Sequence, residues 1–272
     1  MKRLINQRPS TGMALMLGLL PFVLLLLLYM AGSDARLAEN PADKLLPSFG
    51  QMGDAIQRMA FEPSKRTGEY LLWADTASSL SRLGLGMLIA ALLGLVLGIL
   101  TGALPLVSAA TSPLLTVVSL IPPLAILPVL FIVFGLGEVS KVALIAIGIT
   151  PFIARDIQRR TREIPSEQLV KAQTLGANTS QIICRVLLPQ IMPRLIEAVR
   201  LSLGAGWLFL IAAEAIAATE GLGYRIFLVR RYMAMDVILP YVAWITLLAF
   251  LIDLVLARLS CLIFPWQSKG AQ

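Results

Sequence analysis

Five ionisable side chains, Arg82, Arg200, Glu214, Asp253 and Arg258, stand within or beside long apolar runs of this sequence. A charge in hydrocarbon is costly, so each has to meet a partner or water, and such residues mark ion pairs, proton relays or contacts with a transported solute. Depth along the apolar runs places Arg82 and Glu214 toward one side and Arg200 and Asp253 toward the other. An Arg82 to Glu214 pair and an Arg200 to Asp253 pair are therefore expected, with Glu214 also a candidate for solute contact.

The residues of an enzyme are missing. Histidine is absent, which removes the commonest metal ligand and general base. Cys184 has no histidine to activate it, no Ser/His/Asp or paired-carboxylate arrangement is present, and the phosphate-cradling pattern GxxxxGK[ST] does not occur. No catalytic residue, cofactor or metal site is expected. Energy for active transport has to come from another chain or from an ion gradient.

The elements that must hold these charges are membrane helices. Of the 272 residues, 57% are hydrophobic and 14% charged, with a mean hydropathy of +0.81. Several runs reach the roughly 20 residues that cross about 30 Å of hydrocarbon. The spans expected are 13–31, 83–104, 112–134, 139–153, 196–218 and 237–263. The first could be taken for a signal peptide, but its long leucine core favours a retained span. Residues 33–75 carry seven acids against five bases and should lie outside, with a short amphipathic helix in LPSFGQMGDAIQRMAF.

Two spans have further character. In the second, Gly84, Gly86, Gly94, Gly98 and Gly102 recur at intervals near four, a spacing that lets helix backbones approach closely in lipid. The third is interrupted at Pro122, Pro123 and Pro128; proline inside a span breaks the helix and is tolerated where protein or water covers the freed carbonyls. Ser119, Pro122, Pro123, Leu127 and Phe131 are thus candidate pathway residues, with Trp207 and Glu214 of the fifth span beside them, although prolines that only shape packing would look the same.

Basic residues set the orientation. Six of them, Arg155, Arg159, Arg160, Arg162, Lys171 and Arg185, follow the fourth span and, with Lys2, Arg3 and Arg8, point to the cytoplasm. Both termini then lie inside. Arg225, Arg230 and Arg231 would be outside, against that rule. The net charge of +7 records orientation, and without an aromatic-interleaved basic face it does not indicate nucleic acid. Cys184 and Cys261 fall on the reducing side, so no disulfide is expected.

Between the fourth and fifth spans lies a polar insert, residues 164–193. Ser166 and Glu167 open a helix, Gly176 ends it, Asn178 and Gln181 form a capping box for a second, and Pro189 limits that one. Two short helices make a compact knob. It suits a soluble partner, though an amphipathic hairpin on the membrane surface would share the pattern.

Within that insert, VKAQTLGANTSQIICRVLLPQIMP resembles the cytoplasmic EAA signature of ATP-binding-cassette importer permeases, with Gly176 and Leu188-Pro189 in place; of the leading triplet only Ala172 survives, Val170 and Lys171 replacing Glu and Ala. IPPLAILPVLFIVFGLGEVSK at 121–141, LSLGAGWLFLIAAEAIAATEGLG at 201–223 and FPW at 264–266 are similar to the nitrate/sulfonate/taurine type of that family. The resemblance implies an all-α type I ABC importer permease (MetI-like) fold of about six transmembrane helices, with the knob as cytoplasmic coupling helix. It implies a homodimer, two cytoplasmic ABC ATPase subunits and a periplasmic solute-binding protein. Ala172, Leu175, Gly176, Ala177, Thr179 and Gln181 are the residues it assigns to ATPase contact. The divisions expected are 1–78 for the first helix and periplasmic segment, 79–266 for the permease core and 267–272 for a cytoplasmic tail. A small sulfonate-, taurine- or nitrate-like anion suits this type, but a phosphorus oxyanion or a thiamine precursor stays open.

Two other classes compete. A secondary transporter would usually show internal repeats around a buried ion site, and no convincing repeat is present. A membrane scaffold would use the knob for docking alone.

Overall fold

The computed structural model describes residues 9–41, 43–65 and 68–268, which form helices and their connections. Lys2, Arg3 and Arg8, and residues 269–272 of the expected tail, lie outside the described residues.

Helix α1, Thr11–Glu39, is uncovered by the rest of the chain along its apolar stretch. It is tied at its far end, where Tyr29 donates to the Pro47 carbonyl at 2.6 Å and Ser33 to the Leu46 carbonyl at 2.9 Å. Helix α2, Phe49–Ala60, is the expected amphipathic helix, opened by a reciprocal Ser48–Gln51 capping box.

Helix α3, Leu71–Ala103, starts about a dozen residues before the expected second span, so the division drawn after residue 78 falls inside it. Its 33 residues extend about 50 Å, well beyond the hydrocarbon, and the extra turns carry polar side chains. Helix α4, Pro105–Leu120, meets a 3-10 turn at Pro123–Ile126 and then α5, Leu127–Phe134. The two limbs of this broken span lie at 83° to one another. Pro122, Pro123 and Pro128 account for the break, since each lacks a backbone donor. Gly135, with φ 75°, then turns the chain into α6, Glu138–Arg162.

Helix α6 is the central post of the bundle. Its charge-free stretch is only residues 142–154, too short to read as a strong span, yet it is buried between neighbours on several sides. Helix α3 runs parallel to it at very close range. A β-carbon added at Gly86, Gly94, Gly98 or Gly102 would fall 2.5–2.7 Å from Ile145, Ile153, Ile157 or Thr161 respectively. Small residues every four positions on one helix thus accept β-branched residues every four positions on the other, the packing that holds helices together in lipid. Gly84 has nothing within 4 Å and does not belong to that stripe.

The knob departs from expectation at both ends. Helix α7 is Ser166–Thr174, but Ser166 is already helical and Pro165 is the N-cap, so no serine hydroxyl caps it. Helix α8, Thr179–Ile182, is not a separate short helix closed by Pro189. It runs through a π-turn, Ile183–Leu187, directly into α9, Leu188–Ala217. The Leu188 N–H bonds back to the Ile183 carbonyl, and this one-residue slip lets the helix pass Pro189, which sits in the first turn of α9 where its missing donor costs little. Helix α10, Leu222–Arg230, folds back along α9; α11, Met235–Ile263, and a short helix, α12, Pro265–Ser268, complete the described residues. Among the described residues α1, α3, the Thr179–Ala217 helix and α11 are long and apolar enough to span, and the α4–α5 pair, taken as one broken span, makes a fifth; α6 does not meet that length and polarity on its own.

Candidate functional site

One face of the N-terminal part of α3 presents Asp75, Ser79 and Arg82, at intervals of four and three, all buried. Arg82 donates through Nη1 to Glu214 Oε1 at 2.7 Å and to the Glu220 carbonyl at 2.8 Å. Its Nε and Nη2 engage both carboxylate oxygens of Glu138, which also accepts from Lys141 Nζ at 2.7 Å. Glu214 is fully buried and fully occupied: Ser79 Oγ donates to both its oxygens at 2.8 and 2.9 Å, and the Gly223 N–H to Oε2 at 2.9 Å. Ser79 Oγ in turn accepts the Leu222 N–H at 2.8 Å.

Asp75 repeats the theme one turn nearer the N-terminus of α3. It accepts from the Gly221 N–H at 2.9 Å, from Arg225 Nε at 2.8 Å and from the Tyr241 hydroxyl at 3.2 Å. Burial opposes the Arg225 charge, but the Asp75 carboxylate more than offsets it and holds the guanidinium pKa above its ordinary value. The loop after α9 is thereby stitched to α3 by its own backbone N–H groups. With its acceptors filled, Glu214 acts as the keystone of a clamp.

The second pair is different in kind. Arg200 Nε and Nη2 meet Asp253 Oδ1 and Oδ2 at 2.8 and 2.9 Å, a bidentate fork joining α9 to α11, but both side chains are partly exposed. Arg258, also on α11, is exposed.

The pathway candidates separate into two groups. Ser119 is half-buried, Pro122 is exposed and Pro123 packs over Gly148 at the break between α4 and α5, while Phe131 is half-buried within α5. Leu127, Trp207 and Glu214, at 2%, 5% and 0% exposure, lie in the packed interior and line no open surface of the subunit. The reason is α6: its wide apolar face draws the inner sides of α5 and α9 onto it.

At the opposite end, the knob is held open by backbone geometry. Gly176, with φ 81°, ends α7, the Ala177 N–H bonding to the Ala172 carbonyl at 3.0 Å. Asn178 Oδ1 accepts the Gln181 N–H and Gln181 Oε1 accepts the Asn178 N–H, at 2.8 and 2.9 Å. Gly176, Thr179 and Gln181 are exposed, Ala172 and Ala177 half-buried. Leu175 is 79% exposed, a large apolar side chain at the tip of a polar element.

Asp75, Ser79, Glu138, Lys141 and Tyr241 were not among the residues singled out in the sequence, and Arg225 was noted there only for its bearing on orientation. For the first two a signal existed, since polar residues four and three apart leading up to Arg82 must share its helix face.

Residues 92–268 match the family described as "Binding-protein-dependent transport system inner membrane component". The chain is 37% identical over 198 residues to the taurine transport system permease protein TauC of Escherichia coli, covering 73% of this chain and 72% of that one. It is 30% identical over 198 residues, 73% and 72% of the two chains, to the putative aliphatic sulfonates transport permease protein SsuC of Bacillus subtilis. To the nitrate import permease protein NrtB of a Synechocystis species it is 27% identical over 192 residues, 71% and 70% of the two chains. The fold is also that of a chain in an inward-facing structure of the MetNI methionine ABC transporter, with a TM-score of 0.63 at 23% identity over 72% of this chain and 97% of that one. The chain belongs to the binding-protein-dependent inner membrane component family, as an ABC importer permease of the taurine, sulfonate and nitrate type and not an enzyme.

Proposed function

We propose that this permease carries a small oxyanionic solute of the sulfonate, taurine or nitrate kind into the cytoplasm. It receives the solute from a periplasmic binding protein, pairs with a second copy of itself, and takes its energy from two cytoplasmic ABC ATPases seated on the knobs. Both termini and the knob are cytoplasmic in this reading. The basic residues beyond the fifth span fit it better than their number suggests, because Arg225 is neutralised by Asp75 and counts little toward orientation.

One observation carries the proposal. The exposed knob is the head of a single 39-residue helical run, Thr179–Ala217, whose far end holds Glu214 in the outer clamp. At 1.5 Å per residue it extends about 58 Å, so a push on the knob reaches the outer loop through one stiff rod. Closure of the ATPases then shifts the balance between inward- and outward-open states by gripping the knob differently in each. The pathway runs along the broken span past Ser119, Pro122, Pro123 and Phe131. ATPase contact falls to Ala172, Leu175, Gly176, Ala177, Thr179 and Gln181.

Purification with its partners tests this. Copurified ATPase and vanadate-sensitive uptake of taurine are expected, and Gly176→Asp should uncouple hydrolysis from uptake while still inserting in the membrane. Uptake by this chain alone on an ion gradient, or docking of a partner with no transport, would overturn it.

A further inference from the structure

The contact between α4 and α6 is unlike the rest of the bundle. On α4, Ser108, Ser112, Thr116 and Ser119 recur at intervals of four, four and three, which sets their hydroxyls along one face. Opposite them, α6 runs the other way with Arg162, Gln158 and Arg155. Arg162 Nη2 donates to Ser108 Oγ at 2.6 Å, Gln158 Nε2 to Ser112 Oγ at 3.2 Å and Arg155 Nη2 to Thr116 Oγ1 at 3.4 Å. This polar row leads from the knob side of the bundle to the break, where Ser119 lines a cavity of about 60 Å³ with Pro123, Gly148 and Phe152.

Two observations say what the row is for. Arg159 and Arg160 each pair with a carboxylate, Glu163 or Asp156, but among the described residues neither Arg155 nor Arg162 has an acidic partner. Both are exposed, and most of the five donors on each guanidinium are unused. In addition, α4 contributes no buried residue, so this contact is not a dry core and its hydroxyls stay within reach of water. Cations without an acidic partner, beside accessible hydroxyls, are an arrangement for a mobile anion.

We propose that the α4–α6 seam is the inward half of the anion path, in which Arg155 and Arg162 supply the attracting field and Ser108, Ser112 and Gln158 donate to the oxygens of a sulfonate-like solute on its way from the break to the cytoplasm. It rests on the transport reading above for its direction. Each hydroxyl meets a single guanidinium or amide N–H, at 2.6 to 3.4 Å, so an anion would be handed from one donor to the next without a cage around it. A lipid phosphate could satisfy the same guanidiniums, and the test has to tell the two apart.

Ser112→Cys is introduced into the full-length permease carrying Cys184→Ala and Cys261→Ala, two exposed positions whose loss leaves the packing intact. In inside-out membrane vesicles the thiol is treated with sulfonatoethyl or trimethylammonioethyl methanethiosulfonate, reagents of the same reactivity class and opposite charge. The sulfonate-to-ammonium rate ratio should exceed that of a free small thiol by about ten-fold, the size of a focused local field. Arg155→Gln with Arg162→Gln should return it to the free-thiol value, and Arg155→Lys with Arg162→Lys should retain most of it. A ratio equal to the free thiol's, or no reaction with either reagent, overturns the proposal. A preference that disappears in vesicles rich in anionic lipid also overturns it, by giving the arginines to lipid phosphate. Labelling needs neither ATP nor solute. The expected ratio without ATP-driven uptake of taurine, an aliphatic sulfonate or nitrate would therefore defeat the transport reading and leave the anion seam, whereas uptake with a free-thiol ratio would do the reverse.

Discussion

Gly221 lies so close to Glu214 that a β-carbon on it would sit 2.5 Å from the Glu214 carboxyl carbon. The buried carboxylate occupies the place of a side chain that the loop does not have. With φ 126° at Gly221 and the N–H groups of Gly221, Leu222 and Gly223 directed at Asp75, Ser79 and Glu214, the loop after α9 and the N-terminal part of α3 form one unit.

Gly221→Ala should therefore cost about 1–3 kcal/mol from backbone strain alone, with the displaced carboxylate adding to it. Thermal unfolding in detergent is expected at a lower temperature, with faster proteolysis of the loop at 218–221. Unchanged unfolding would mean that the loop is not seated on Glu214.

Arg82→Leu leaves Glu214 buried without its cation, a loss of about 3–5 kcal/mol. Arg82→Leu combined with Glu214→Leu should recover much of it, since no buried charge is then left unpaired. The same detergent unfolding measurement reads both. Additive losses in the double variant would show that the two residues are not coupled.

Asp253→Asn should be mild, about 1 kcal/mol or less, because its fork with Arg200 is partly exposed and water screens it. A loss as large as that of Arg82→Leu would place the second pair in a drier setting than its exposure indicates.

Gly98→Ala and Gly84→Ala make a matched pair on one helix. The first drives a methyl to 2.5 Å from Ile157 Cβ and 2.9 Å from the Ala154 carbonyl, an overpacking cost of about 1–3 kcal/mol. The second meets nothing within 4 Å and should gain up to about 1 kcal/mol from helix propensity. Equal effects would mean that α3 and α6 are not in this register.

The two charge pairings were legible because depth along a span is a one-dimensional quantity, and a lone Arg82 has few partners to choose from. Asp75 with Arg225 was not, since their meeting depends on the fold-back of α10, which no local pattern announces. The knob's turn could be read from Gly176 and the Asn178–Gln181 spacing. Its second helix was misjudged at Pro189, where a π-turn absorbs the missing donor and the helix continues. Helix α6 was read too short, as charges at both ends conceal a helix buried on several sides. Leu127 and Trp207 stood beside pathway-like residues in sequence, yet neighbours in sequence point to different sides of a helix.

The most direct measurement uses Leu175, the exposed apolar tip of the knob. Because Leu175 is 79% exposed, Leu175→Asp should leave unfolding of the isolated permease unchanged. In proteoliposomes containing the permease, its ATPases and the binding protein, ATP-driven uptake of taurine should fall by more than about ten-fold, as for loss of an interface anchor. Uptake at the unsubstituted rate, with the ATPases still bound, would contradict the assignment of the knob as the seat through which ATP hydrolysis moves the bundle.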